Sequence, residues 1–380
     1  MTDSSAQAPR IEQRAAIKRA ALVEKLVASG DLTTAAWREA FAAVPRHVFV
    51  PRYLTQPHYQ LVDGANPDQH DEWLDAVYAD RTLITAQVGG MPTSSGTMPS
   101  LVAYILEHLD IADGHKVVQV GTGTGYTAAL LAQRLGDDAV VSIDIDPDLS
   151  AQARERLAAT GHRPLVLTGN GADGHPPLAP YDRIVATCAI GAVPPAWPAQ
   201  TRRGGIILAP LAAGFARLTV HDPHTAEGAF LDSPAYFMPL RPGPTPDLPD
   251  DPPPRSQNAP GDARPTELSS QHTIWNNDFR FYLSLHAPEL AFGRHGPTLD
   301  HATVYHPDGS TARLDPTDSG PSLVTQAGPR RLWDQLESTH KTWEHLGKPS
   351  RERYRIILTP QRQSIWLDHP DSGRTWQLPL

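Results

Sequence analysis

From Ile11 to Ser29 apolar residues recur at helical spacing, and "TAAWREAFAAV" continues the same period as far as Pro45. These stretches predict a helical N-terminal cap over residues 1–75. The segment "QLVDGANPDQHDEWLDAVYADR" mixes turn residues and acids without a period, and is expected to be irregular as it leads into a hydroxyl-rich loop, "MPTSSGTMPS". Beyond that loop the pattern turns regular. "LVAYILEHL" predicts a helix, "HKVVQV" a strand, "GYTAALLAQRL" a helix, "AVVSIDI" a strand and "PDLSAQARERLAAT" a helix. Three further β-branched runs, "PLVLTG", "DRIVATCAI" and "GGIILAPL", have strand length. Strands alternating with helices predict βαβ units, hence an α/β domain over residues 76–240 with a parallel sheet covered on both faces.

After Pro239 the pattern lapses. "RPGPTPDLPDDPPPRSQNAPGDARP" has almost nothing to bury, and residues 241–268 are expected to form a Pro/Asp-rich linker. Residues 269–380 then predict a smaller α+β C-terminal domain. It holds "FRFYLSLHA", a hairpin turning at Pro307-Asp308-Gly309, the helix-like "RRLWDQLESTHKTWEHLG" and three short terminal strands. Trp333, Leu336 and Trp343 read as core residues of that helix.

Composition narrows the function classes. A formal net charge of -9 in 380 residues argues against a general nucleic-acid or anionic-membrane binder. The single cysteine, Cys188, rules out an intramolecular disulfide framework and suits a reducing compartment; in its apolar strand it reads as a packing residue. No basic n-region precedes an apolar segment, no apolar run is long enough to span a bilayer, and a cytoplasmic location is expected. The 17 histidines include no HExxH and no Cys/His cluster, so no metal is expected.

The chemistry centres on "VVQVGTGTGYTAALLAQRLG". A dinucleotide fingerprint wants G-x-G-x-x-G, but the glycines are Gly121, Gly123 and Gly125, with Tyr126 where the third should stand. A P-loop ends in Gly-Lys-Ser/Thr, and this loop has no lysine. A G-x-G-x-G turn between a strand and a helix instead lets the backbone approach the amino-acid portion of S-adenosylmethionine (SAM), which has no pyrophosphate. Asp144, ending "AVVSID", can accept both ribose hydroxyls of an adenosine. Asp146 precedes Pro147 and reads as a helix N-cap. In "TGNGADG", Asn170 with the backbone of Gly171 and Ala172 is a candidate for the adenine edge, an ordinary glycine turn being the other reading.

Together "AFAAVPRHVFVPRYL", the glycine loop, "VSIDIDPDLSAQARERL", "GNGADGHPPLAPYDRIVAT" and "QTRRGGIILAPL" resemble the protein-L-isoaspartate O-methyltransferase family over roughly Ala35 to Leu211. The resemblance implies a Rossmann-like class I SAM-dependent methyltransferase fold, with SAM as cofactor. The longer chain, the "TSS" run and the tryptophan-rich C-terminal part are more similar to a branch that accompanies ribosomally made modified peptides, graspetides and some lanthipeptides. That branch implies a precursor peptide as partner and methylation of its acceptor aspartate side chain, the ester then closing to an aspartimide. An isoaspartyl repair enzyme with an appended domain, and a silent SAM-fold binding module, stand as alternatives. Residues after about Ser269 would recognise the peptide, a neighbouring strand offering it an edge; the oligomeric state is left open.

Three positions depart from the family pattern. Gln119 stands where an acid is usual; as a cofactor-binding candidate it can still accept a hydrogen bond but cannot pair with the cofactor's ammonium. Asn170 replaces the carboxylate of the adenine loop, with Asp173 nearby. Thr97, in Thr97-Met98-Pro99, takes the place of the active-site serine. An aspartate carboxylate, with a pKa near 3.9, is ionised at neutral pH and needs no general base. Thr97, with Ser95 or Ser94, is therefore expected to orient the acceptor carboxylate by hydrogen bonding.

Overall fold

The computed structural model describes residues 4–56, 58–241, 261–296, 298–317 and 319–379. Its spine is a ten-stranded sheet. Five strands form the parallel half, in the spatial order Leu165–Thr168, Val140–Asp144, Val117–Val120, Tyr181–Ala186 and Thr201–Leu211. Every residue of Val117–Val120, Val140–Asp144 and Tyr181–Ala186 is buried, as a parallel sheet covered on both faces requires. Alternation sorts neighbours between the layers: Val117 joins the core under the N-terminal cap, with Trp37, Phe41 and Leu130, while Val118 joins the core on the other face. Helix Pro147–Ala159 starts where expected, because the Asp146 carboxylate accepts the N–H groups of Asp148 and Leu149 at 2.9 and 3.1 Å.

The cap is helical at its start, with helices Ser4–Ala28 and Ala35–Ala43, but residues 61–96 are ordered where irregular structure was expected. Leu61–Asp63, Arg52–Leu54, Leu83–Val88 and Met91–Gly96 form a four-stranded antiparallel sheet, and His70–Tyr78 is a helix. Trp73 and Tyr78 are its buried aromatic residues. Trp73 is 5% exposed, its indole N–H donates to the Val50 carbonyl at 2.8 Å, and its ring lies where a Cβ on Gly64 would stand, 2.5 Å away. The hydroxyl-rich loop is itself the second strand of a hairpin. Gly89 and Gly90, at φ +54° and +72°, make its two-residue turn, which glycine adopts without the left-handed penalty.

The C-terminal part is divided between two sheets. Asp262–Thr266, Ser322–Ala327, Thr311–Asp315, Ala302–Tyr305 and Ala291–Arg294 form a five-stranded sheet, and the hairpin at Pro307-Asp308-Gly309 is present. Most of the expected linker, residues 242–260, lies outside the described residues; its last part is not a linker, since Asp262–Thr266 pairs with Ser322–Ala327. Tyr354–Thr359 pairs antiparallel with Thr225–Pro234, and Arg362–Leu367 and Thr375–Leu378 follow it outward, so the terminal strands extend the central sheet. The core is shared accordingly. Phe281, on helix Asn277–His286, lies 4.7 Å from Phe230 and 4.9 Å from Tyr354, in one cluster with Val118, Trp333, Leu336 and Trp343. A boundary at residue 269 thus crosses a continuous core among the described residues.

Candidate active site

The glycine loop joins Val117–Val120 to helix Tyr126–Leu135, and its three glycines have three different neighbours. At φ +91° a Cβ on Gly121 would stand 2.9 Å from Thr187 Oγ1, and at φ +91° a Cβ on Gly125 would meet Ala153 and Phe49 at 3.2 and 3.4 Å. Both serve packing. Gly123, at φ +53°, faces the hydroxyl strand, its Cβ position 3.8 Å from Ser94 Oγ and from the Ser95 carbonyl. Buried Gln119 secures the loop: its amide donates to the Gly121 carbonyl at 2.9 Å and its oxygen accepts from Ser142 Oγ at 3.2 Å. Asp144, 8% exposed, accepts from the Gly123 N–H at 2.8 Å and the Asp146 N–H at 3.1 Å. Burial raises its carboxyl above the ordinary value, and these two hydrogen bonds pull it back in part.

These residues open onto a cavity of about 580 Å³. Its opposite wall carries the hydroxyls of Thr93, Ser94, Ser95 and Thr97. Ser94 is buried and accepts from Thr85 Oγ1 at 3.0 Å, so it is committed to its own hairpin. The hydroxyls of Ser95 and Thr97 have no hydrogen-bond partner among the described residues and are half-buried. Thr97 is held by its main chain, because the guanidinium of fully buried Arg46 donates to the carbonyls of Thr97 and Gly96 at 3.0 and 3.3 Å and also to that of Val77. Burial lowers the Arg46 guanidinium to about 10.

Of the adenine-loop candidates, Gly171 lines the cavity and is sterically required, a Cβ there falling 2.3 Å from Val120. Asn170 is engaged within its own turn, where its Oδ1 accepts from the Ala172 N–H at 3.0 Å and caps the short helical segment Gly171–Asp173. Gly125, Asn170 and Ala172 stand outside the residues that line the cavity. Cys188 lies on its wall, half-buried, with burial pushing its thiol up to about 12, which keeps it protonated at neutral pH. Two features escape the sequence pattern. Arg46 sits in "VPRHVFVP" with nothing to mark it as buried, and Tyr236 to Arg241, the strap after Thr225–Pro234, forms a further wall. The strap is tied down by the Leu240 N–H to the Ala189 carbonyl, 2.7 Å, and the Ala189 N–H to the Met238 carbonyl, 2.8 Å.

The sequence model of protein-L-isoaspartate(D-aspartate) O-methyltransferase (PCMT) matches residues 17–230, which include most of the cap, the glycine loop and the hydroxyl strand. The chain belongs to this family. The protein-L-isoaspartate O-methyltransferase of Ignicoccus hospitalis is 36% identical over 196 residues, 51% of this chain and 82% of that protein. The second such enzyme of an Anaeromyxobacter species is 31% identical over 230 residues, 60% and 84% of the two chains. A solved structure of a protein-L-isoaspartate O-methyltransferase superposes with a TM-score of 0.52 at 20% identity, covering 92% of this chain and all of that one. The PCMT chain is thus a class I SAM-dependent protein carboxyl O-methyltransferase by fold and family, and its cavity fits that cofactor. Gly123 leaves open the space a Cβ would fill, apolar Val120, Ile143 and Leu149 flank the loop, and the Asp144 carboxylate stands at the end of the second strand. Among the described residues no helix is long and apolar enough to cross a membrane.

Proposed function

We propose that this chain is a protein-L-isoaspartate O-methyltransferase that esterifies the free carboxylate of an isoaspartyl residue in a peptide or protein. The observation that carries the reading is the make-up of the cavity. Ser95 and Thr97, whose hydroxyls have no hydrogen-bond partner among the described residues, line the cavity together with the glycine loop; no histidine, lysine or glutamate is among its lining residues, and the Asp144 carboxylate there is engaged by the Gly123 and Asp146 N–H groups. Tyr126 and Cys188 are both driven towards their protonated forms by burial, so neither serves as a base. A hydroxyl or amine acceptor needs its proton removed, whereas a carboxylate is already the nucleophile. Bound SAM supplies a methyl group carried on a positively charged sulfur. Asp144 holds the ribose, the Gly121 and Gly123 backbone lies against the amino-acid portion, and Gly171 borders the adenine. Ser95 and Thr97 donate hydrogen bonds that aim the acceptor carboxylate, and the apolar walls keep water out. In the ester, attack by the next backbone nitrogen expels methanol and closes a succinimide.

The relatives named above support isoaspartyl substrates. A folded C-terminal extension does not by itself favour precursor-peptide maturation, since the superposed structure spans 92% of this chain. The test is methyl transfer from labelled SAM to an isoaspartyl peptide, to its aspartyl counterpart and to a modified precursor peptide. Methylation of the isoaspartyl peptide is expected, and Thr97→Ala should lower kcat/KM about tenfold, the value of one hydrogen bond to a charged acceptor, without loss of SAM binding. Transfer to the precursor aspartate alone would replace repair with maturation. Failure to bind SAM at all would reduce the chain to a binding module.

A further inference from the structure

Tyr236 is the point where the C-terminal part meets the substrate side of the molecule. It is 47% exposed and lines both the 580 Å³ cavity and a second cavity of about 390 Å³; Thr82 and Leu101 are shared in the same way. The ring's hydrogen bond and its cation contact both come from one helix. Its hydroxyl donates to Asn277 Oδ1 at 2.9 Å, and the Arg280 guanidinium lies 4.3 Å from its centroid. Arg280 also lies 4.5 Å from the Phe292 ring and has no hydrogen-bond or ion-pair partner for its side chain among the described residues. A guanidinium set between two rings with no anion beside it is stabilised by the ring faces, which fixes Tyr236 in turn. Asn277 and Arg280 both belong to helix Asn277–His286, beyond the segment that matches the family.

The second cavity has a definite chemistry. Met98, Leu101, Pro234, Tyr104 and Tyr236 form most of its walls, and Thr82, Ser100 and Ser233 complete them. The Tyr104 hydroxyl is committed, donating to the Asp232 carboxylate and accepting from the Ser233 N–H at 3.3 Å, so the ring is what it presents. The acid Asp31 stands at the edge. Resting on the carboxyl methyltransferase reading, we propose that this cavity is a subsite for an apolar or aromatic side chain next to the acceptor residue of a peptide. Tyr236 is its specificity-determining wall, and Arg280 is a positioning residue acting through Tyr236. The cavity adjoins the acceptor site along Thr82, Leu101 and Tyr236, so one extended chain fills both. An acidic side chain is disfavoured, having Asp31 beside it and no cation among the lining residues.

The experiment uses the full-length protein and isoaspartyl peptides that differ only in the flanking residue, Phe, Leu or Glu. The wild type should prefer Phe or Leu over Glu by at least about tenfold in kcat/KM, the usual range for an apolar pocket, with the difference in KM. Tyr236→Ala should erase the preference, Arg280→Met should reduce it, and Tyr236→Phe, which keeps the stacked ring, should retain it. A wild type indifferent to the flanking residue overturns the proposal. So does a Tyr236→Ala that weakens S-adenosylhomocysteine binding as much as it raises KM, because the ring would then be a cofactor wall. No transfer to any of the peptides would overturn the underlying methyltransferase reading instead.

Discussion

At the scale of single residues, Asp144 has two duties that pH separates. Its carboxylate fixes the loop through the Gly123 and Asp146 N–H groups while remaining at the cavity wall, where the proposed function gives it the ribose of the cofactor. Burial raises its pKa, so between the ordinary value of 3.8 and the raised one the folded chain holds a proton that the unfolded chain has released. Its contribution to stability therefore falls as pH rises through that window, and the ionised carboxylate is retained at neutral pH at a cost to the fold. On the proposed function the gain is in binding. S-adenosylhomocysteine affinity, measured by calorimetry, should fall as pH drops through a midpoint above 3.8. Asp144→Asn should lack that limb and bind about 10- to 100-fold more weakly at neutral pH, as expected for hydrogen bonds to a charged group. Wild-type affinity in Asp144→Asn would confine the residue to anchoring the loop.

At the scale of elements, the strand-loop-helix unit around the glycines holds one glycine packed away from the cavity, Gly125, and one on its wall, Gly123, to which the proposed function gives a binding role. Gly125→Ala places a methyl 3.2 Å from Ala153 Cβ and 3.4 Å from Phe49 at φ +91°, whereas at Gly123 the nearest atoms are 3.8 Å off. A left-handed alanine costs roughly 1–2 kcal/mol, and crowding adds about 1 kcal/mol at position 125. Gly125→Ala should thus lower the denaturant midpoint more, with near-normal cofactor affinity in the folded fraction. Gly123→Ala should be the milder change in stability and the more damaging one in affinity. Equal losses in both properties for the two variants would contradict this division. This unit was legible in sequence because β-branched runs, a glycine turn and a helical period all agree over 20 residues. Residues 61–96 were not, because order there rests on Trp73 filling the space beside Gly64 and on a strand built around the consecutive hydroxyl residues Thr93, Ser94 and Ser95, neither of which produces an apolar period. The site divides along the same line: the glycines, Asp144 and the hydroxyls announce themselves by type and spacing, while Arg46 and Tyr236 acquire their places only when distant segments meet.

At the scale of the whole molecule, the decisive contact is the pairing of Tyr354–Thr359 with Thr225–Pro234, across more than a hundred residues that no local pattern connects. Local composition suggests a detachable module after a proline-rich stretch, whereas one buried cluster runs from the central sheet into the C-terminal part. Removing everything after residue 241 would strip Phe281 from Phe230, uncover Leu218 and Ala226, and leave the ten-residue strand Thr225–Pro234 as an open edge. Losing one buried phenylalanine typically costs about 3–5 kcal/mol, a large part of the roughly 5–15 kcal/mol that holds a typical domain together, and here several buried aromatic residues go at once. The truncated chain should therefore aggregate through its bare edge or melt without a cooperative transition while binding a hydrophobic dye, as followed by calorimetry and dye fluorescence. A cooperative melt within about 5 °C of the full-length protein would show that the C-terminal part is dispensable for folding. If it is not dispensable, loss of activity on truncation says nothing about peptide recognition, and the contribution of the C-terminal helix to specificity has to be read from point variants such as Arg280→Met, which leave both sheets intact.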